Sequence, residues 1–354
     1  MLFHTYRGVI GDYHRNFFKD KVYLEDDWNF QRTWRRHLPN LSGVRVLVGF
    51  LPVVLWTTSV SLFVCAYHVW LEDAGAPRFY QQGVQYWQAF STTSFALALL
   101  MVFRTNNSYS RWWEARTLWG HVLNVTRNLV REAIALFTRE EEPQLLMLAR
   151  WTTALPYLLN AHLSTLHIDE VLQNVLPPEE LAWLLQAKHR PVRASQVLSA
   201  LVLGCSANPI QKTEMDTHIK DYINITGACE RIQKTPIPLA YTRHTSRFLI
   251  IWLTFLPFAV WPVYGWATPG ITAVITFLLV GVENIGIQIE QPFAVIAMDY
   301  ICASCRASIE EMMQSRHEIA EITSQAVKMQ HSPKDEIGQG QHPFEVHMDP
   351  GAEK

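Results

Sequence analysis

The chain has 354 residues, 49% of them hydrophobic, and a formal net charge of −2. That balance gives no reason to expect a nucleic-acid partner, and five scattered cysteines do not make a disulfide framework. The mean hydropathy of +0.02 hides a sharp division. No Asp, Glu, Lys or Arg occurs in 46–71, 79–103 or 248–282, and the charges crowd the remainder.

Taken in order, residues 1–43 hold seven basic and five acidic side chains, with no apolar run ending at a cleavage site. This argues against a secretory signal, and the acids argue against an intact organelle transit peptide. Trp28, Phe30 and Trp34 beside basic residues suit either an interfacial amphipathic stretch or packing on a water-facing domain. A first membrane crossing is expected over 44–70, since about 20 apolar residues span a hydrocarbon core of about 30 Å. The loop 71–85 carries Glu72, Asp73 and only Arg78, and a second crossing ends at Phe103. Basic residues before the first crossing, and Arg104, Arg111 and Arg116 after the second, place both ends of this hairpin (44–103) on the cytoplasmic or stromal side.

Residues 104–247 are expected to form a helical cytosolic domain, with helix-compatible spacing at 112–137 and 143–167. Pro177-Pro178 opens a further helix with Glu179 and Glu180 in its first turn, and no alternating strand pattern occurs. A second hairpin, 248–289, is expected as two crossings at 248–266 and 271–289 joined by a turn at Thr268-Pro269-Gly270. A cytosolic helix over 290–329 and a disordered tail, 330–354, complete the chain. The expected fold is therefore all-α, an integral membrane protein with four transmembrane helices around a helical insert.

Enzyme signatures are missing. No two of the fourteen histidines lie three or four apart, which argues against the usual di-iron boxes. There is no phosphate-binding loop, HExxH helix or GxSxG elbow. Cys302-x-x-Cys305 is one pair on an expected helix, and reads as close packing rather than a zinc site. Asn106, Asn124 and Asn224 each open an N-x-Ser/Thr pattern on the expected cytoplasmic side. No cofactor or metal is implied, and transport remains.

On a helix over 87–103, Phe95, Leu99 and Phe103 stack on one face, with Ser91, Thr92 and Ser94 above them. Such a stripe either packs against neighbouring helices or lines a pore. A neck of phenylalanine and leucine strips water from an anion without trapping it on a fixed charge. Phenyl edges present the positive part of the ring quadrupole, and hydroxyls could solvate an ion at the entrance. One chain has too few helices to enclose such a path, so the pore reading requires a ring-shaped oligomer.

Three segments carry a resemblance to a known family: FRTNNSYSRWWEAR at 103–116, ITGACERIQKTPIPLAY at 225–241, and GVENIGIQIEQPF at 281–293. Together they resemble the bestrophin family of anion channels, especially its bacterial and chloroplast branches, over about residues 40–325. The resemblance implies a homopentamer in a lipid bilayer, passing chloride, with bicarbonate as a second candidate. It places the pore neck on Phe95, Leu99 and Phe103 and a cytosolic aperture on Ile210, for which the competing reading is a core residue. It also implies a plastid thylakoid or bacterial inner membrane, with both termini on the cytoplasmic or stromal side. The acidic calcium cluster of animal members is replaced by Ala294-Val295-Ile296-Ala297-Met298, with only Asp299 following, so no calcium clasp of that type is implied.

Within the first motif, Asn106, Trp112 and Trp113 are read as signature positions, the tryptophans suiting an interface. Arg104, Arg111, Glu114 and Arg116 have two readings. They pair at the membrane exit, with each other and with Glu283 or Glu290, or they form a positive vestibule that concentrates anions. Two alternatives to an anion channel stay open: a non-conducting membrane scaffold and a cation-conducting homologue.

Overall fold

The computed structural model describes residues 44–74, 83–164 and 169–330. The expected interfacial segment at 1–43, the middle of the 71–85 loop and the expected disordered tail beyond 330 lie outside the described residues. Among the described residues every regular element is helical. In chain order these are α1 (Val44–Asp73), α2 (Gly83–Leu136), α3 (Glu142–Leu163), α4 (Asp169–Gln173), α5 (Pro178–Leu185) and α6 (Arg190–Gly204). They are followed by α7 (Pro209–Lys234), α8 (Leu239–Tyr264), α9 (Thr268–Glu290) and α10 (Met298–Gln330). The chain divides into two units, Met1–Ile309 and Glu310–Lys354. In the second unit, the described part is helical and keeps Ile319 and Ile322 exposed.

Two regions of the first unit are built differently. In the bundle, α1 packs on α8 and α9, and the first half of α2 joins them. Its interior holds small hydroxylated side chains, with Thr57, Ser61, Thr272 and Thr276 fully buried, beside an apolar cluster contributed by α2 and α8. The hydroxyls of Thr57 and Thr276 lie 3.0 Å apart across the α1–α9 contact. Large apolar groups such as Leu55, Phe63, Phe255, Phe258 and Leu278 point outward instead. Two stretches, Leu51–Leu71 and Leu239–Glu290, are long and apolar enough to cross a membrane, and only 22% of the most apolar part of each is buried. In the body formed by the second half of α2 with α3, α6 and α7, the interior is apolar and aromatic, with Trp119, Trp151, Leu155, Leu158 and Tyr222 fully buried. The Tyr222 hydroxyl donates to the carbonyl of Leu155 at 2.8 Å, which satisfies its one buried polar group.

Three expectations are revised. The change from uncharged to charged sequence at 103/104 falls inside a single helix of 54 residues, because a charged side chain is compatible with a helix interior and does not end it. For the same reason α8 starts at Leu239, just after Pro236 and Pro238, and runs through Arg243 and Arg247 into the apolar stretch. Thr268-Pro269-Gly270 is not the turn between the last two apolar segments. It is the first turn of α9, where proline's missing N–H would be unpaired anyway. The reversal comes earlier, at Gly265, whose φ of 53° suits glycine, followed by a short 3-10 turn at Gly265–Ala267.

Candidate functional site: the exposed stripe of α2 and its anchors

The first half of α2 has two opposed faces. Leu97 and Met101 are buried with Leu249, Leu253, Leu256 and Val260 of α8, and Phe90 stacks on Trp252 at 4.3 Å between ring centres. Phe95, Leu99 and Phe103 are 75%, 44% and 52% exposed. In the isolated chain they therefore do not pack against a neighbouring helix, and they form an uncharged stripe two turns long. Ser91 and Thr92 are exposed and Ser94 is half-buried. Thr92 donates its hydroxyl to the Gln88 carbonyl at 2.9 Å and Ser94 to that of Ser91 at 2.6 Å. An ion there would meet hydroxyls whose protons must first rotate away from the helix.

Where α2 leaves the bundle, arginines fix it to its neighbours. Arg104 is buried and paired with the Glu283 carboxylate of α9. Its guanidinium also donates to the Ser246 hydroxyl of α8 at 2.9 Å, and that hydroxyl donates to Glu283 at 2.6 Å. One closed polar cluster thus joins three helices, with each charge opposed. Two turns on, Arg111 donates to the carbonyls of Ile232 at 2.6 Å and Thr235 at 2.7 Å, closing the C-terminus of α7. It also donates to the carbonyl of Glu290, the last residue of α9, at 3.3 Å. A cation suits these carbonyl-rich helix ends. Within one chain, Arg104 and Arg111 are thus engaged by Glu283, Ser246 and helix-end carbonyls.

Glu114 pairs with Arg231 of α7 at 2.6 Å on the surface. Asn106 and Arg116 are exposed. Trp112 and Trp113 group with Tyr109, the ring centres lying 5.8–6.5 Å apart.

Ile210 is 81% exposed, so it is not a core residue. It is the second residue of α7 and is held by a reciprocal cap: Gln211 N donates to Asn208 Oδ1 at 2.9 Å, and Asn208 N to Gln211 Oε1 at 3.1 Å. The preceding loop is clamped by Glu141, which accepts from the Ser206 hydroxyl at 2.9 Å and from Thr138 N at 2.9 Å. The Thr138 N–H is the main cause that lowers the Glu141 pKa. The stripe and Ile210 belong to different helices, α2 and α7.

Sequence reasoning missed several of these groups. Glu141, Ser246 and Thr242, whose carbonyl lies 3.5 Å from the Arg104 guanidinium, carry no local motif that announces their partners. Neither do His162, His189 and Glu230, whose ligand-type atoms lie within 4.8 Å of one another. Asp299 is bound by Asn160 Nδ2 at 2.7 Å. Cys302 and Cys305 are buried and free, with burial pushing the Cys302 thiol up and that of Cys305 up to about 11. They remain thiols at neutral pH, as expected for packing residues.

Among known proteins, the chain is similar to the chloroplastic voltage-dependent chloride channel 2 of Arabidopsis thaliana. The two are 30% identical over 307 residues, covering 85% of this chain and 75% of the relative. It is similar also to a voltage-dependent anion channel-forming protein of Synechocystis sp., at 32% identity over 62% of this chain and 76% of that one. In fold it matches the crystal structure of a bacterial bestrophin homolog from Klebsiella pneumoniae, with a TM-score of 0.68 and 24% identity over 75% of this chain and 98% of the other. A family model described as bacterial/fungal bestrophin protein spans residues 29–311. The bestrophin-like motifs thus sit in a chain that matches across most of its length, and this chain belongs to the bacterial/fungal bestrophin family.

Proposed function

We propose that this chain is one subunit of a pentameric ring that conducts chloride across a membrane through a path lined by α2. In this reading α1, the first half of α2, α8 and α9 make four crossings. The outward-facing leucines, valines and phenylalanines of the bundle meet lipid, while threonines fill the helix contacts. Phe95, Leu99 and Phe103 from each subunit form the neck, Ser91, Thr92 and Ser94 its entrance, and Ile210 a second constriction on the cytosolic side. Both termini lie on the cytoplasmic or stromal face of a bacterial inner membrane or a thylakoid, and bicarbonate is the second candidate ion. No covalent reaction is involved.

The observation that carries this reading is the exposed, charge-free stripe on a helix whose other face is locked against α8. In a ring, five such stripes would surround an axis with apolar rims and phenyl edges. Such a neck partly dehydrates an anion and holds no countercharge to trap it. The channel names of the relatives support the same reading.

The test is the reversal potential of purified protein in a planar bilayer under a chloride gradient, then with bicarbonate on one side. Reversal near the chloride equilibrium potential supports the proposal. Reversal near the cation potential, or silence from an intact ring, overturns it in favour of a cation path or a non-conducting scaffold. Leu99→Ala with Phe103→Ala should widen the neck and raise conductance, and unchanged currents at equal incorporation would remove the neck assignment.

A further inference from the structure

Three side chains from three helices converge in the water-facing body, well outside the conduction path. His162 is near the end of α3, His189 is the N-cap of α6, and Glu230 lies in the last turns of α7. His162 Nε2 is 2.9 Å and His189 Nε2 2.7 Å from the same oxygen, Glu230 Oε1. The two imidazoles lie face to face, tilted by 31° with centres 4.5 Å apart. We propose that His162, His189 and Glu230 form a binding site for a divalent transition-metal ion of the zinc class, coordinated through the two Nε2 atoms and Oε1.

The two nitrogen–oxygen distances need little adjustment, and the three ligand atoms already lie within 4.8 Å of one another. Zinc bonds of about 2.0–2.2 Å in a tetrahedron separate neighbouring ligand atoms by about 3.3 Å, so each nitrogen–oxygen pair opens by about half an ångström. Two imidazoles with one carboxylate select zinc-class ions over calcium or magnesium, which prefer oxygen ligands. The fourth position is left to water. Lys234 Nζ lies 2.6 Å from the other oxygen, Oε2, and so fixes the carboxylate while leaving Oε1 for the metal.

Coordination through Nε2 leaves the proton of a neutral imidazole on Nδ1. For His189 this gives up only the cap contact from Val192 N at 3.5 Å, at the outer limit of a hydrogen bond. Bound metal would tie α3, α6 and α7 together, and α6 and α7 flank the short connection that precedes Ile210.

The rival arrangement is a triad in which both imidazoles simply donate protons to Glu230. Cobalt(II) titration of the full-length, chelator-treated protein in detergent separates the two. The proposal expects one equivalent per chain to give the visible bands of four-coordinate cobalt, with zinc displacing it and raising the Tm. His162→Ala and His189→Ala should each weaken binding by at least about tenfold, a scale that outer-shell changes alone can reach. His218→Ala, whose imidazole sits 3.2 Å from Glu132 elsewhere, should leave it unchanged. Absence of the bands at millimolar cobalt, or bands retained in both His162→Ala and His189→Ala, overturns the site. The titration of the unmutated chain is decisive even if a variant misfolds. Its outcome is independent of whether the protein conducts.

Discussion

In the bundle the side chains withdrawn from the surface include Thr57, Ser61, Thr272 and Thr276 beside the apolar Leu249, Leu253, Leu256 and Val260, whereas in the body of α3, α6 and α7 the largest of them are Trp151, Leu155, Leu158 and Tyr222. Small hydroxyl-bearing groups thus sit inside the bundle next to its apolar cluster. In water, burial of apolar area drives assembly, so leucine and tryptophan go inside. In lipid that drive between helices disappears. Close approach of backbones and hydrogen bonds between small polar groups take its place. Under the proposed membrane placement the difference has this physical reason, and mutations can break or sharpen it.

The largest effect is expected where the two regions join. Arg104→Ala leaves Glu283 buried without its partner, which should cost about 3–5 kcal/mol. Thermal unfolding in detergent checks this, and Arg104→Met with Glu283→Leu should recover most of the loss. In the body, Leu155→Ala should cost about 2–5 kcal/mol through transfer and cavity terms. Phe95→Ala, on the exposed stripe, should leave the stability of the chain nearly unchanged, and comparison of their Tm values decides this.

Glu230 gives an intermediate effect with a defined pH window. Its carboxyl is held at about 2 against an ordinary 4.5, so it contributes stability that is complete above about 4.5. That contribution is lost as pH falls towards about 2, and amounts to no more than about 3 kcal/mol. Acid-unfolding curves of Glu230→Gln should lack this part of the decline. A small but measurable effect belongs to the α1–α9 contact: a double-mutant cycle of Thr57→Val and Thr276→Val should return about 0.6 kcal/mol, the usual scale for hydrogen bonds between helices in a membrane. A coupling of several kcal/mol would mean that the bundle obeys the rules of the body after all.

The helical class and most helix starts were legible because prolines and caps act locally. Pro178, with Glu179 and Glu180 behind it, opens α5 as expected, and Pro209 opens α7. The two faces of α2 were legible in part: periodicity separated Phe95, Leu99 and Phe103 from their surroundings but did not say which side met α8. Helix boundaries were misplaced wherever charge was taken as a structural signal, at 103/104 and before Phe248. The Arg104 and Glu283 pairing was among the options at sequence level, but Ser246 and Thr242 as its supports were not. Contacts across more than a hundred residues leave no periodic trace. The same holds for His162, His189 and Glu230, which meet only because α3, α6 and α7 pack together.

From residue 84 to 119, α2 contains neither proline nor glycine, the usual causes of a kink. At 1.5 Å per residue this stretch makes a rod of about 54 Å. A rod without a joint transmits displacement like a lever. A tilt imposed near Trp119 by α7 becomes a tilt at Phe95, with the Arg104 cluster as the fulcrum. Rotation about its own axis would have to tear Leu97 and Met101 from α8, so the inexpensive motions are tilts of the whole rod and rotamer changes of the phenyl rings.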